Sequence, residues 1–212
     1  MDKEKNADHI ISKAYELFIR YGIHNVSMDE IAAHIRISKK TIYQFFPSKD
    51  ALVESVLDME FANIDSLIKE RREKADNAIH EILLAGTSTQ EIFSRLNRCL
   101  MDDIEKYCPE GYKKIKDYNS RVIYDLIIDN IERGKLEKLY REEVAPDIIA
   151  RYRIVSLLLV FNKDFLSACK QKVSYILEEI TDHFLFGLVT HTGYEVIKRY
   201  KRQEKLVLHD KA

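Results

Sequence analysis

Turn formers are scarce in this chain, with 6 Gly and 3 Pro among 212 residues, where ordinary usage would give about 25. Tight β-turns and phosphate-cradling loops need residues that accept a positive φ or preset a negative one. A chain so poor in them is a bad candidate for a β-sandwich, a collagen or a Gly-rich nucleotide loop. No stretch of useful length alternates with period two, whereas apolar residues recur at helical spacing along most of the chain. The fold class predicted is all-α. Composition agrees: 46% hydrophobic and 33% charged residues describe a globular chain, which at this length buries about 70% of its unfolded surface.

The first helix is predicted over Asn6 to Tyr21, with Ile10, Ile11, Ala14, Leu17 and Phe18 on one face and Gly22 as its stop. Ser27-Met28-Asp29-Glu30 has the S-x-x-E form of a capping box and opens a second, short helix. After a break at Arg36-Ile37, Ser38 caps a third that ends at Phe45 or Phe46, because the residue before Pro47 avoids helical ψ. Ser48 then caps a long fourth helix carrying Leu52, Val53, Val56, Leu57, Phe61, Ile64, Leu67 and Ile68. Further helices are expected near 88–107, 110–118, 119–133, 147–170 and 172–192, with a C-terminal extension; Gly86, Pro109, Gly134 and Pro146 punctuate them.

Residues 27–46 are therefore two short helices around a tight break, the sequence form of a helix-turn-helix. Ile42 with Phe45 or Phe46 must face the core. At about 100° per residue this turns Lys39, Lys40, Tyr43 and Gln44 outward, with Thr41 at the border. Cations, a hydroxyl, a phenol and an amide are groups that hydrogen-bond phosphates and base edges. The whole chain is nearly neutral, 34 basic against 35 acidic residues, yet Arg36, Lys39, Lys40 and Lys49 place four positive charges between 36 and 49 with no acid among them. The helix starts at Ser38 and Ser48 add free N–H groups to that positive region. The blander alternative is a solvated helix face with incidental lysines.

Residues 7–57 resemble the DNA-binding domain of the TetR family of transcriptional repressors. The resemblance is carried by Ile11, Ala14, Phe18, Tyr21-Gly22, Val26-Ser27-Met28, Ile31-Ala32, Ile35, Ser38-Lys39-Lys40-Thr41-Ile42-Tyr43, Phe46, Ser48-Lys49 and Leu52. It implies an N-terminal three-helix DNA-binding domain over 1–48 and a helical ligand-binding and dimerisation domain over 49–212. It also implies a DNA contact set: Ser27 on phosphate; Lys39, Lys40, Thr41 and Gln44 on bases or backbone; Tyr43 and Lys49 on phosphate. Arg36 stands where the family usually has Gly. If that position needs φ > 0, a side chain there costs roughly 1 kcal/mol, and Arg36 would accept the strain and meet a phosphate, unless the turn is built differently. The implied partners are a double-stranded DNA operator, a second copy of the chain and a small-molecule effector.

Beyond residue 57 the sequence is less specific. Tyrosines crowd 107–124, so Tyr107, Tyr112, Tyr118 and Tyr124, with Phe61, Phe93, Phe161 and Phe165, are the candidate effector-lining residues, suited to an apolar or aromatic molecule. They serve equally as core. For the dimer surface the candidates are Val155, Leu158 and Leu159 on one helix and Ile180, Phe184, Leu188 and His191 on the next; burial within one subunit is the alternative. His183 with Glu179 is half a metal site at most, and no HExxH set accompanies it. No metal or other cofactor is expected, and without a nucleophile–base pair or phosphate loop no enzyme. Cys99, Cys108 and Cys169 fit no paired spacing and read as reduced thiols of a cytoplasmic protein. The charged first residues lack a signal core. The longest apolar run, Ile154 to Phe161 with Ser156 inside it, is far short of the roughly 20 residues that span a bilayer, so no membrane role is expected. The function expected is a ligand-responsive transcriptional regulator, a repressor by the family habit, that binds pseudo-palindromic DNA as a homodimer. The competing readings are a helical protein–protein adaptor without sequence-specific DNA binding and a helical enzyme or metal carrier.

Overall fold

A computed structural model describes residues 2–97 and 99–209, with the backbone alone for 2–5, 95 and 204–209. Among the described residues the chain is helical throughout, and the one extended pairing is an isolated bridge between Tyr140 and Val189. The helices are α1 Asp2–Tyr21, α2 Met28–Ile35, α3 Lys39–Phe45, α4 Lys49–Lys74, α5 Ala78–Arg95, α6 Leu100–Tyr107, α7 Pro109–Tyr118, α8 Tyr124–Leu136, α9 Pro146–Leu158, α10 Lys163–Cys169, α11 Val173–Leu188 and α12 His191–His209. A π-helical stretch, Asn119–Ile123, joins α7 to α8, and a 3₁₀ turn, Leu159–Phe161, follows α9.

By packing the chain divides into two compact units, each assembled from two stretches of sequence: 1–67 with 95–120, and 68–94 with 121–212. In the first, Ile10, Ala14 and Phe18 of α1, Ile31 of α2, Ile42 of α3 and Leu52, Val53 and Val56 of α4 share one core, which Ile104 and Cys108 complete. In the second, Ala78, Ile79, Ile127, Ile131, Tyr140, Phe184, Leu185, Leu188 and Ile197 form one core cluster, and Val160, Leu166, Ile176 and Leu177 form another.

Several expected boundaries move, each for a local reason. α5 does not begin at Ser88. It begins at Ala78, where the Asn77 side chain accepts from the His80 N–H at 3.0 Å and the Glu137 carboxylate accepts from the Ala78 N–H at 2.8 Å, and it runs straight through Gly86. Gly86 is not a breaker; an added Cβ would sit 3.3 Å from Thr181 Cγ2, so the glycine lets α11 approach. Gly134 likewise lies inside α8, where the Tyr140 ring occupies the place of its missing side chain, 2.1 Å from where a Cβ would stand. The long helix expected over 147–170 is interrupted at Asn162, whose side chain accepts from the Phe165 N–H at 2.8 Å and starts α10 anew.

Candidate nucleic-acid interface

The turn region follows the sequence closely. Gly22 takes φ +83° at the end of α1. The capping box is formed: Ser27 Oγ accepts from the Glu30 N–H at 3.2 Å, and Glu30 Oε2 accepts from the Ser27 N–H at 2.6 Å and its hydroxyl at 2.8 Å. Those bonds hold the Glu30 carboxyl below its ordinary pKa, the backbone bond from Ser27 first among the causes. Arg36 ends α2 in the left-handed conformation, φ 58° and ψ 40°, with an exposed side chain. The turn thus keeps the geometry that favours glycine, and Arg36 carries the strain.

α3 is a single short helix of 7 residues whose cap, Ser38, accepts from the Thr41 N–H at 3.0 Å and shares a hydroxyl–hydroxyl bond with Thr41 at 2.8 Å. Its inner side is Ile42, fully buried, backed by Phe46; Phe45 is half-buried. Lys39, Lys40, Tyr43 and Gln44 are exposed and Thr41 is intermediate. Ser48 accepts from the Ala51 N–H at 3.0 Å and opens α4.

Two of the four cations have internal partners that spacing alone did not reveal. Lys39 Nζ lies 2.6 Å from Asp29 Oδ2 on α2, and this hydrogen bond raises the lysine pKa. Lys49 Nζ donates to the Ile23 carbonyl at 2.5 Å; burial is the leading influence and lowers its pKa, against the opposing pull of Asp103, Asp50 and Glu30. Lys49 thus fastens the start of the α1–α2 loop, while Arg36 and Lys40 face solvent. Asp103 of α6 accepts from the His24 N–H at 3.0 Å, the His24 ring stacks on Tyr107 at 4.4 Å, and the Asn97 N–H donates to the Ile19 carbonyl at 2.8 Å. These contacts brace the loop between α1 and α2 from a distant part of the sequence.

The proposed effector residues fall in separate environments. In the first unit, Tyr107 sits on His24, Tyr112 packs on the unit's core, and Phe61 stacks on Tyr118 at 4.2 Å. The Tyr118 hydroxyl donates to Asp65 at 2.7 Å, and burial first, then that bond, raises its pKa well above the usual phenol range. In the second unit, Phe93, Phe161 and Phe165 gather in one cluster, with Phe93 and Phe161 at 5.1 Å, while Tyr124 donates to Asp147 at 2.6 Å.

The dimer candidates divide too. Val155 is exposed, and Leu158, Leu159 and Ile180 are half-buried; His191 is exposed at the start of α12. Phe184 and Leu188 need correcting: at 3% and 1% exposed they belong to their own subunit's core, because α11 turns that side toward Ile79 and Ile131. The apolar side chains that α9 and α11 do present to solvent are Ile148, Tyr152 and Val155 on α9 and Tyr175 and Phe186 on α11. A periodicity reading missed most of these, since both helices carry apolar residues on more than one face, the exposed ones interspersed with Asp147 and Arg151 on α9 and with Glu178, Glu179 and His183 on α11. The i, i+4, i+7 spacing of Ile148, Tyr152 and Val155 was the available signal.

Residues 10–56 match the family model described as bacterial regulatory proteins, tetR family. The HTH-type transcriptional regulator YvaF of Bacillus subtilis (strain 168) is 22% identical over 180 residues, 84% of this chain and 93% of its own. IcaR, the HTH-type negative transcriptional regulator of the biofilm operon icaADBC in Staphylococcus aureus (strain Newman), is 26% identical over 116 residues, 53% of this chain and 62% of its own. Among solved structures, a TetR-family transcriptional regulator from Agrobacterium tumefaciens superposes with a TM-score of 0.73 at 19% identity, covering 88% of this chain and 99% of that one. With the capped helix-turn-helix and its outward polar helix in place, these similarities place residues 10–56 in the TetR family of bacterial regulatory proteins and give the chain as a whole the same helical fold.

Proposed function

We propose that this protein is a ligand-responsive transcriptional regulator of the repressor type, which binds a pseudo-palindromic DNA operator as a homodimer and leaves it when a small molecule binds the helical body. The reading rests most on α3: a capped helix anchored by Ile42 that exposes Lys40, Tyr43 and Gln44 together. Base-edge contacts come from Lys40, Thr41 and Gln44, and phosphate contacts from Tyr43, Arg36 and Ser27, while the Ser38 cap presents the start of α3. Lys39 joins by exchanging Asp29 for a phosphate. Lys49 acts from behind, by holding the loop. Functionally the head is 1–48 and the body 49–212.

Two copies meet through the exposed apolar side chains of α9 and α11, with Val155, Leu158 and Leu159 on one side and Ile180 at the margin. Such a dimer must hold its two α3 helices about 34 Å apart, or a multiple, to enter successive major grooves. An effector that prefers another spacing then weakens both half-sites at once. The cluster of Phe93, Phe161 and Phe165 supports an apolar or aromatic effector body. No helix of the described residues is long and apolar enough to cross a membrane, consistent with work on DNA in the cytoplasm.

Footprinting on the DNA flanking the protein's own gene tests the reading. Lys40→Ala with Tyr43→Ala is expected to lower affinity for the protected site about 100-fold, at one to three kcal/mol per lost contact, with helicity and oligomeric state unchanged. Retained affinity overturns the assignment of α3. The adaptor reading instead predicts that any DNA binding responds weakly to salt, whereas neutralising phosphates makes affinity fall steeply.

A further inference from the structure

Among the described residues the buried polar side chains are Asn130, Arg153, Ser156 and Thr181, all in the second unit. Asn130 is matched at both ends: its amide donates to the Ala78 carbonyl at 3.0 Å and Glu81 at 3.1 Å, and its oxygen accepts from the Tyr140 hydroxyl at 3.2 Å. Ser156 donates to the Arg153 carbonyl at 2.8 Å. Arg153 differs from these. It carries a full charge at 4% exposure, and its polar partners are neutral: the Thr181 hydroxyl at 3.0 Å and the Ile180 carbonyl at 3.4 Å, with the Phe184 ring 4.8 Å from its central carbon. The groups acting on its charge are the phenols of Tyr152 and Tyr140, and burial pulls its pKa down to about 10, which still leaves it charged at neutral pH. Arg133 of the same unit shows the usual solution, lying 3.2 Å from Glu81 and 2.7 Å from Glu137.

A buried cation without an anion is costly, and two neutral acceptors and a ring face offset only part of that. A guanidinium also has five N–H donors in a planar fork suited to an oxyanion, and these contacts leave some of them unused. The surroundings fit an amphiphile. Leu157 follows Arg153 by one turn of α9, Val160 lies in the 3₁₀ turn just beyond, Leu177 precedes Thr181 by one turn of α11, and all three belong to the cluster that holds Phe93 and Phe161. Arg71 of the same unit has a buried Nε with no hydrogen-bond partner, but unlike Arg153 it has the carboxylates of Glu70 and Glu91 acting on its charge.

We propose that Arg153 is the anion-recognising residue of the effector site, and that the effector is a small monoanionic amphiphile whose oxyanion head forks onto this guanidinium while its apolar body lies against Leu157, Phe93 and Phe161. The assignment deepens the regulator reading and rests on it.

Two fluorescent probes that differ by the charged head decide it: 8-anilinonaphthalene-1-sulfonate, and N-phenyl-1-naphthylamine, the same ring system without the sulfonate. The full chain is expected to bind both saturably. Arg153→Met should weaken the sulfonate at least about tenfold, the worth of one charged hydrogen-bonded contact, and leave the neutral probe within about twofold. Equal sulfonate affinity in wild type and variant, or no saturable sulfonate binding by the wild type, overturns the assignment. Should Arg153→Met fail to fold, Arg153→Lys decides instead: it keeps the charge and loses the fork, so the sulfonate alone should weaken, and unchanged sulfonate binding overturns the assignment. The operator footprint separates the two readings. A protein that footprints its DNA but binds the sulfonate independently of Arg153 overturns this inference alone. One that binds the sulfonate through Arg153 but leaves no footprint overturns the regulator reading; the anion site then stands without its role as effector site.

Discussion

α3 and α11 both turn one side inward and one outward, yet only α3 declares which is which. Its outward residues are Lys39, Lys40, Tyr43 and Gln44, and its inward anchor is Ile42, so the two sides differ in kind. On α11 a buried Phe184 and a solvent-facing Phe186 stand two residues apart. Both sides carry aromatic residues: the inner one packs on its own subunit, and the outer one, where Tyr175 and Phe186 stand among the exposed Glu178, Glu179 and His183, meets a second copy on our reading. Chemical contrast between faces, more than the strength of either, is what makes a helix orientable.

The largest expected effect comes from breaking that contrast on α11. Phe184→Ala should cost about 3–5 kcal/mol by opening a cavity in the core, read as a fall in the denaturant midpoint. Phe186→Ala should leave the fold intact and move the sedimentation equilibrium toward monomer. If the two variants behave alike, the division of α11 into an inner and an outer side is wrong.

The next effect sharpens the picture of the turn before α3. Arg36→Gly removes a left-handed side chain, so stability should rise, by up to about 1 kcal/mol once the extra freedom of glycine in the unfolded chain is counted. The same change should reduce the slope of log affinity against log salt by about one if the arginine meets a phosphate. A raised midpoint with an unchanged slope would remove Arg36 from the interface and leave the strain without a use in DNA binding.

The smallest concerns Lys39. Its pair with Asp29 is exposed on both sides, where water screens the attraction and leaves the lysine easily detached. Asp29→Asn should therefore tighten binding to non-specific duplex DNA by about twofold in a low-salt anisotropy titration. Weaker binding would mean that Asp29 positions Lys39 rather than competing for it.

The head was largely legible because its signals are local. Ser27 with Glu30, Ser38 with Thr41 and Gly22 each act within four residues, and the structure bears out each of these caps. What escaped was non-local. The Lys39–Asp29 pair crosses a turn, the Lys49 bond reaches back to Ile23, and the Asp103 contact comes from a segment nearly eighty residues away. The body failed differently. Gly86 and Gly134 looked like punctuation, but both are close approaches inside helices: the Tyr140 ring leaves no room for a Cβ at Gly134, and Thr181 would have to give a little for one at Gly86; a lone glycine does not say whether it is a stop or a close approach. Arg153 gave no warning either, since a single arginine on an apolar helix reads as a solvent-facing charge until its neighbours are known.

The bracing of the first unit by α6 has a practical corollary. Ile104 and Cys108 are 2% and 1% exposed within its core, so a gene fragment truncated after α4 would produce a head with a bare greasy flank. Anyone wishing to express the operator-reading part by itself must graft the 95–120 segment back on, and a protease that nicks that segment in the intact chain should silence the regulator without touching a residue that meets DNA.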